Sequence, residues 1–416
     1  MRILFFSHYF PPEGNAPASR TYENCRRWVR AGHEVTVITC VPNCPDGVVY
    51  DGYKNKLYAR EVVDGIDVRR VWTYIAANEG TVRRILNYVS YMVSAFLFSF
   101  LVKRPDVVIA TSPQFFCGWA GVLSRFFRRV PFILEIRDIW PESIVAVGAM
   151  SNRRLVRVLE WLERIMYSSA GRIVTVGDGY RRRLLEKGVP AERISVVMNG
   201  VNRELFNPRD PDEELKRRLG VEGKFICSYS GTIGMACGLG IVLEAAQKLK
   251  ERSITDIIFM LVGGGASRKD LEALARERQL DNVIFIGRQP KDRMPEFLAI
   301  SDVCLVHLRK TDLFTTVMPS KIFETAGMAK PIINGVGGFA AEFIEKAGAG
   351  INIEPENSDQ LIEALLRLRQ APDLREAYGN AGRAYVIAHF DRDKLATDYL
   401  ETIHAVVHDK DMAECE

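Results

Sequence analysis

The sequence predicts an α/β protein made of two doubly wound halves with mostly parallel sheets. Three observations carry this. The chain has 416 residues, enough for two domains at roughly 150 residues each. Its short apolar segments are apolar at nearly every position, the mark of strands covered on both faces. Helix-like stretches separate them, and this strand-then-helix rhythm runs through the chain twice.

In the first half the strand candidates are Ile3–Ser7, Glu34–Thr39, Val68–Trp72, Val107–Thr111, Phe132–Ile136, Ile173–Val176 and Ile194–Val197. In the second they are Phe225–Ser230, Ile257–Val262, Val283–Ile286, Val303–Val306, Pro331–Asn334 and Gly350–Ile353. Helices are expected between them, among others at Thr21–Ala31, Leu155–Ser169, Arg181–Lys187, Leu239–Glu251, Arg268–Gln279 and Gln360–Leu368. The Pro- and Asp-rich stretch Asn202–Pro211 reads as a linker. It sets one domain at 1–203 and a second at 204–389, before a last helix at Lys394–Asp409.

The formal net charge of +4 is unevenly spread. Residues 1–203 hold 29 Lys and Arg against 18 Asp and Glu, a net of +11; the remainder holds 27 against 34, a net of −7. The basic half either meets an anion (acidic phospholipid, a pyrophosphate-bearing acceptor or nucleic acid) or is a solubilising surface. Nucleic acid is set aside, because aromatic and basic residues are not interleaved on a recognisable module. The eight cysteines form no Cys-x-x-Cys pair, and Cys40 and Cys44 lack zinc-binding partners. That is a reduced, cytosolic pattern. The opening apolar run stops at Ser7-His8, which fits a buried strand better than a cleavable signal.

Ile85 to Val102 is 18 residues without a charge, between Arg83-Arg84 and Lys103-Arg104. Strand segments lie on both sides of it, so a transmembrane crossing would divide one sheet across a bilayer. Asn87, Ser90 and Ser94 share one helical face. The 83–104 segment is expected either to lie in a membrane interface with its basic ends at headgroups, or to be buried on the sheet.

Four segments bear groups that chemistry needs. The small-residue turn Gly14-Asn15-Ala16 after the first strand lets backbone amides approach a phosphate. His8 precedes it, beside the expected ligand crevice or packed in the loop. Neither half opens with Gly-x-Gly-x-x-Gly, which argues against a dinucleotide oxidoreductase. In Leu134–Ser143 a charged cluster follows an apolar strand: Arg137 suits an anion and Asp138 a hydroxyl, or both pair with neighbours to fix the loop. Gly231-Thr232-Ile233-Gly234 opens the second half with a turn suited to phosphate. Finally, Met318, Pro319, Ser320 and Lys321 stand at a helix start, where amides and the dipole favour an anion and Lys321 adds a charge. Glu324 lies one turn on, where a carboxylate can accept hydrogen bonds from two ribose hydroxyls. A capped helix with Lys321 and Glu324 in solvent is the plainer alternative. His307 ends an apolar strand and is a further candidate to approach the ligand.

The order of these segments resembles the GT-B glycosyltransferases of glycosyltransferase family 4, in the bacterial surface-polysaccharide branch that includes the N-acetyl-L-fucosamine transferase type. The matching pieces are Tyr9-Phe10-Pro11-Pro12-Glu13, Gly32-His33-Glu34-Val35-Thr36-Val37, Arg137-Asp138-Ile139-Trp140-Pro141-Glu142, Asn199-Gly200-Val201 and Pro319-Ser320-Lys321-Ile322-Phe323-Glu324. They span essentially the whole chain. The resemblance implies two facing Rossmann-like domains, the donor mainly in the second, and a C-terminal helix (about 390–416) returning to the first. It also implies retention at the anomeric carbon, no metal and no cofactor. Glu324 matches the later glutamate of the family's pair, which binds the donor ribose. Residues 318–321 match the loop on donor sugar and phosphates, and Arg137 and Asp138 fall at an acceptor-side position. Thr316 stands where the earlier glutamate is expected, and Thr232 and Cys237 where the pyrophosphate-binding Arg and Lys are expected. Lys321, then Arg288, are the leading replacements.

The expected activity is transfer of a sugar from a nucleotide diphosphate, UDP-linked by family resemblance, to a lipid-linked or glycan acceptor. The expected place is the inner face of the cell membrane. Lys321, Glu324, Arg137 and Asp138 form the expected catalytic set. Donor contacts add Gly14, Asn15, Gly231, Thr232, Gly234, Gly264, Arg288 and Met318–Ser320; the acceptor side adds His8. Asp210-Pro-Asp212, Asp391-Arg-Asp393 and Asp409-Lys-Asp411 do not follow central strands, so no metal site is assigned to them. Two rival readings are a GT-B nucleotide-sugar epimerase, which needs acid/base carboxylates, and a non-catalytic sugar-nucleotide binding protein.

Overall fold

The computed structural model describes residues 1–44, 47–76, 81–112, 114–146, 150 and 152–413. The chain divides into two compact units, Met1–Met198 with Asp393–Glu416, and Asn199–Arg392.

The first unit holds strands β1 (Arg2–Phe6), β2 (Glu34–Cys40), β3 (Tyr58–Val63), β4 (Ile66–Val71), β5 (Val107–Thr111), β6 (Phe132–Ile136), β7 (Arg172–Thr175) and β8 (Ile194–Val196). Their order is β3-β4-β2-β1-β5-β6-β7-β8, parallel throughout except for the β3–β4 hairpin. The apolar runs of β5 and β6 are buried at every position, as helix-covered parallel strands require. The sequence pattern misses β3, a half-exposed edge strand whose residues do not form a continuous apolar run. Its hairpin turns at Asp64-Gly65, with φ of 49° and 80°, a pair suited to tight hairpins.

The second unit holds β9 (Phe225–Ser230), β10 (Ile257–Val262), β11 (Val283–Ile286), β12 (Val303–His307), β13 (Ile332–Gly335) and β14 (Gly350–Asn352), in the order β11-β10-β9-β12-β13-β14. All pairs are parallel. Counted within the unit, this is the doubly wound order 3-2-1-4-5-6. Strand order therefore reverses between β1 and β5 in one sheet and between β9 and β12 in the other. Loops leaving the carboxyl ends at such switch points flank the crevice where these sheets bind ligands.

The final helix, Arg392–Ala413, completes the first unit from Asp393 onward. Trp28 Nε1 donates to the Ala396 carbonyl at 3.0 Å, and the Trp28 ring meets Tyr399 edge-on at 5.2 Å. Both rings are fully buried. The Asn202–Pro211 stretch lies within the second unit: Asn202 Oδ1 accepts from the Glu204 and Leu205 amides, and Phe206 is buried.

The uncharged segment forms the helix Thr81–Ser99, shorter than the expected 83–104. It closes with three-residue bonds from Phe100 N–H to Leu97 and from Val102 N–H to Ser99, with Pro105 beyond. No described helix is long and apolar enough to cross a membrane. The described cysteines are all free; Cys415 and the Asp409 and Asp411 side chains lie outside the described residues.

Candidate active site

In the second unit, the loops leaving β9 and β10 touch through their main chains. A Cβ on Gly263 would fall 1.9 Å from the Gly231 carbonyl oxygen, and one on Gly265 2.5 Å from that of Ile233. Gly231, Gly263 and Gly265 have φ of 126°, 150° and 153°. Ile233 N–H donates to Gly264 O at 2.9 Å, and Ser267 N–H to Ile233 O at 3.1 Å. Only glycine allows this approach, so the backbone of the Gly231–Gly234 turn is set by its neighbour.

Lys321 reaches this turn from the helix Lys321–Gly327. Its Nζ lies 3.2 Å from the position of a Gly231 Cβ and 3.6 Å from the Tyr229 ring centroid. Tyr229 is buried, with its hydroxyl donating to Thr232 O at 2.7 Å. The ring face thus holds the ammonium against the glycine turn by cation–π attraction. Removal from water pushes the Lys321 pKa down to about 8, against the pull of Cys237 and Glu324. Arg288 lies on the other flank, its Nε 3.4 Å from a Cβ position on Gly264. Gly231, Gly264, Lys321 and Arg288 therefore form one cluster at the carboxyl ends of β9 and β10.

Met318 is buried ahead of the helix, and Pro319 and Ser320 are half-buried. The Pro319 and Ser320 carbonyls accept from the Ile322 and Phe323 amides, so the first turn satisfies part of its own donor set. Glu324 receives Lys291 Nζ at 2.5 Å, and that ammonium sits over the Phe206 ring. Lys291 escapes the sequence reading because it is 33 residues from its partner. Thr316 donates to Leu313 O at 2.7 Å within its own short turn. Cys237 donates its thiol to Thr232 O at 3.1 Å.

His307 is fixed at both nitrogens. Nδ1 lies 2.7 Å from the Cys237 carbonyl, and Nε2 accepts from the Glu356 amide at 2.9 Å. That assigns a neutral Nδ1–H tautomer, and burial lowers its pKa further. His307 ties three loops together.

In the first unit, Asn15 caps the helix Ala16–Arg30, its Oδ1 accepting from Ala18 N–H at 2.9 Å. Gly14 has open space where a Cβ would stand. His8 is buried, with the edges of Tyr9, Tyr88 and Tyr91 around its ring; burial lowers its pKa to about 3. The Arg137 and Asp138 amides both donate to Ser112 Oγ, at 2.7 and 3.3 Å, which joins the loop after β6 to the loop after β5. Asp138 accepts from Ser143 Oγ at 3.0 Å, and burial pushes its carboxyl up to about 6. Glu135 is structural: it accepts from Arg20 Nε at 3.0 Å and Thr111 Oγ1 at 2.7 Å. Burial raises its pKa, but Arg20 and then Arg137 outweigh that and hold it below the ordinary range. Glu13, quoted above only as part of a motif, accepts from the Asn43 and Cys44 amides at 2.9 and 2.8 Å, with burial raising it to about 7.

Residues 15–200 match the model of a glycosyl transferase 4-like domain, and residues 211–385 that of glycosyl transferases group 1. The chain carries the paired domains of a glycosyltransferase. Among its relatives is WcaI of Escherichia coli (strain K12), named for glycosyl transfer in colanic acid biosynthesis. It is 28% identical, over 97% of this chain and 100% of that protein. The lipopolysaccharide 1,2-N-acetylglucosaminetransferase of Salmonella typhimurium is 25% identical over 55% of this chain and 61% of its own length. The fold of this glycosyltransferase is GT-B. Sucrose-phosphate synthase from Thermosynechococcus elongatus superposes with a TM-score of 0.76 at 17% identity, covering 97% of this chain and 98% of that one. Anabaena HepE, solved with UDP and glucose, gives 0.71 at 17% identity over 97% and 99%. In the glycosyltransferase, the residues missed by sequence reading are Tyr229, Gly263, Gly265 and Lys291. Three consecutive glycines after a strand were a visible signal; the other two depend on folding.

Proposed function

We propose that this glycosyltransferase moves a sugar, with retention and without a divalent metal, from a UDP-linked donor to a membrane-associated glycolipid or glycan in surface polysaccharide assembly. One observation carries the reading: a half-buried, desolvated ammonium, Lys321, held against a glycine turn at the switch point of the second sheet. A departing nucleotide diphosphate needs its developing charge met by fixed groups in a site shielded from water. Lys321 supplies that charge, with Arg288 beyond Gly264. Glu324 accepts from the donor ribose, for which Lys291 must yield one carboxylate oxygen.

In the proposed step the bond from the anomeric carbon to the phosphate oxygen breaks as the acceptor oxygen bonds to the same face. The acceptor proton passes to the departing phosphate oxygen. No side-chain base is required, which suits an acceptor-side loop whose His8, its pKa lowered by burial, is a poor proton acceptor. Asp138 orients the acceptor and Arg137 meets its anionic part. The names of the polysaccharide-building relatives and the UDP complex of HepE support the acceptor and donor classes. The Thr81–Ser99 segment and the basic first half support a place at the membrane surface.

Nucleotide release measured with UDP-, GDP- and ADP-sugars, with and without a chelator, tests this. Turnover with a UDP-sugar that survives chelation, giving a product of unchanged anomeric configuration, is expected. Epimerised donor would establish the isomerase reading, and binding without release the non-catalytic one.

A further inference from the structure

The helix Thr81–Ser99 carries large apolar residues on its exposed side as well as on its covered one. A helix packed on a sheet ordinarily buries its apolar stripe. Here the covered face mixes Tyr88, Tyr91 and Ala95 with Asn87, Ser94 and Ser99, Asn87 Nδ2 donating to Tyr74 O at 2.7 Å. Leu86, Val93, Leu97 and, just past the helix, Leu101 face out, each 45–60% exposed. Their spacing of seven, four and four residues is that of one helical face.

A second apolar element joins this stripe. The last turn of the helix Phe115–Arg128 presents Phe126 and Phe127, 76% and 60% exposed. The Phe127 ring lies 5.4 Å from Phe96, which lies 5.3 Å from Phe100, so the two elements form one surface. Lys103, Arg104, Arg125 and Arg129 stand in the flanking segments, all exposed. Among the described residues no carboxylate pairs with them, and residues 107–134 contain no acidic residue. An exposed apolar patch rimmed by unneutralised cations is complementary to lipid headgroups over an acyl layer.

We propose that this face, centred on Phe126–Phe127 and extended by the Leu97–Leu101 stripe, docks on an anionic phospholipid bilayer. It deepens the reading of a membrane-borne acceptor and assigns the contact to two helices, the exposed phenylalanine pair at its centre. Lipid binding and sugar transfer are separate measurements, so either reading can fail alone.

The full chain is floated with vesicles of phosphatidylcholine alone and with 30 mol% phosphatidylglycerol, a composition chosen to present roughly a third anionic headgroups. Binding to the anionic vesicles only is expected. Phe126→Ser/Phe127→Ser should weaken it more than tenfold, and Arg125→Glu/Arg129→Glu should abolish the anionic preference, each basic residue counting for about fivefold. Leu97→Ser/Leu101→Ser is the second apolar variant should the first not fold. All should keep wild-type nucleotide release with a water-soluble acceptor. Wild-type protein that stays unbound, or a Phe pair variant that binds normally, overturns the proposal. So does a dimer in light scattering that dissolves in the Phe variant while lipid binding persists, which would give the patch to a second copy.

Discussion

The Lys321 ammonium stands 3.6 Å from the centre of the Tyr229 ring, against a turn that only glycine can form. Tyr229 leaves β9 on one side of the switch point, and Lys321 begins a helix almost a hundred residues later. Their meeting puts a fixed positive charge where a diphosphate is proposed to lie. Lys321→Ala is expected to lower turnover on the order of 10²–10³-fold, the range for losing one electrostatic donor. Steady-state kinetics with saturating donor would measure it, and near-normal turnover would remove Lys321 from the mechanism.

The same lysine makes donor binding depend on pH. With its pKa near 8, the ammonium is largely charged at pH 7 and largely neutral by pH 9. Donor affinity should therefore fall as pH rises through 8, roughly tenfold per unit once well above that value. Lys321→Arg, which keeps its charge, should flatten the alkaline limb. Calorimetric titration of a nucleotide diphosphate from pH 7 to 9.5 gives the slope; parallel profiles for both proteins would count against the assignment.

Asp138 has the opposite sign. Its folded pKa of about 6 lies above the ordinary 3.8, so the folded state holds the proton more tightly than the unfolded chain does. The resulting stabilisation is complete below about pH 3.8 and is lost as pH rises through 6. Asp138→Asn, which still accepts from Ser143, should be more stable than the parent at pH 8 by about 2–3 kcal/mol. The difference should vanish near pH 4. Denaturant midpoints at the two pH values decide it; equal midpoints at pH 8 would exclude a desolvated charged carboxylate at this position.

Two glycines from similar-looking turns should behave differently. Gly263→Ala places a methyl 1.9 Å from the Gly231 oxygen and should both lower the melting temperature and weaken donor binding. Gly14→Ala enters open space and should change stability by less than about 0.5 kcal/mol. Thermal melts with and without UDP would show whether the effects separate as stated.

The fold was legible because its signal is local. Runs such as Val107–Thr111 and Ile257–Val262 are apolar throughout, and helices between them force parallel pairing. Tyr58–Val63 was not, since an edge strand with solvent on one side lacks that run. In the site, Lys321 and Glu324 could be found because a helix start is written in consecutive residues. Lys291 could not, because it reaches Glu324 only after its own short turn has been folded against the helix Lys321–Gly327. Asn87 and Ser94 were recognised as one face of a helix, but spacing alone does not say whether that face points to sheet or solvent. Gly14 shows the converse limit: a small residue in the right place, with no neighbour that requires it.

Trp28 and Tyr399 close the first unit across more than 370 residues, so the order of synthesis is not the order of assembly. A nascent chain has made the whole of the second unit before the ring that covers Trp28 emerges. Until then the early half carries an open indole. Trimming the C-terminal helix would therefore injure the half of the protein farthest from the cut, and a fragment ending at Met198 would lack a wall of its own core.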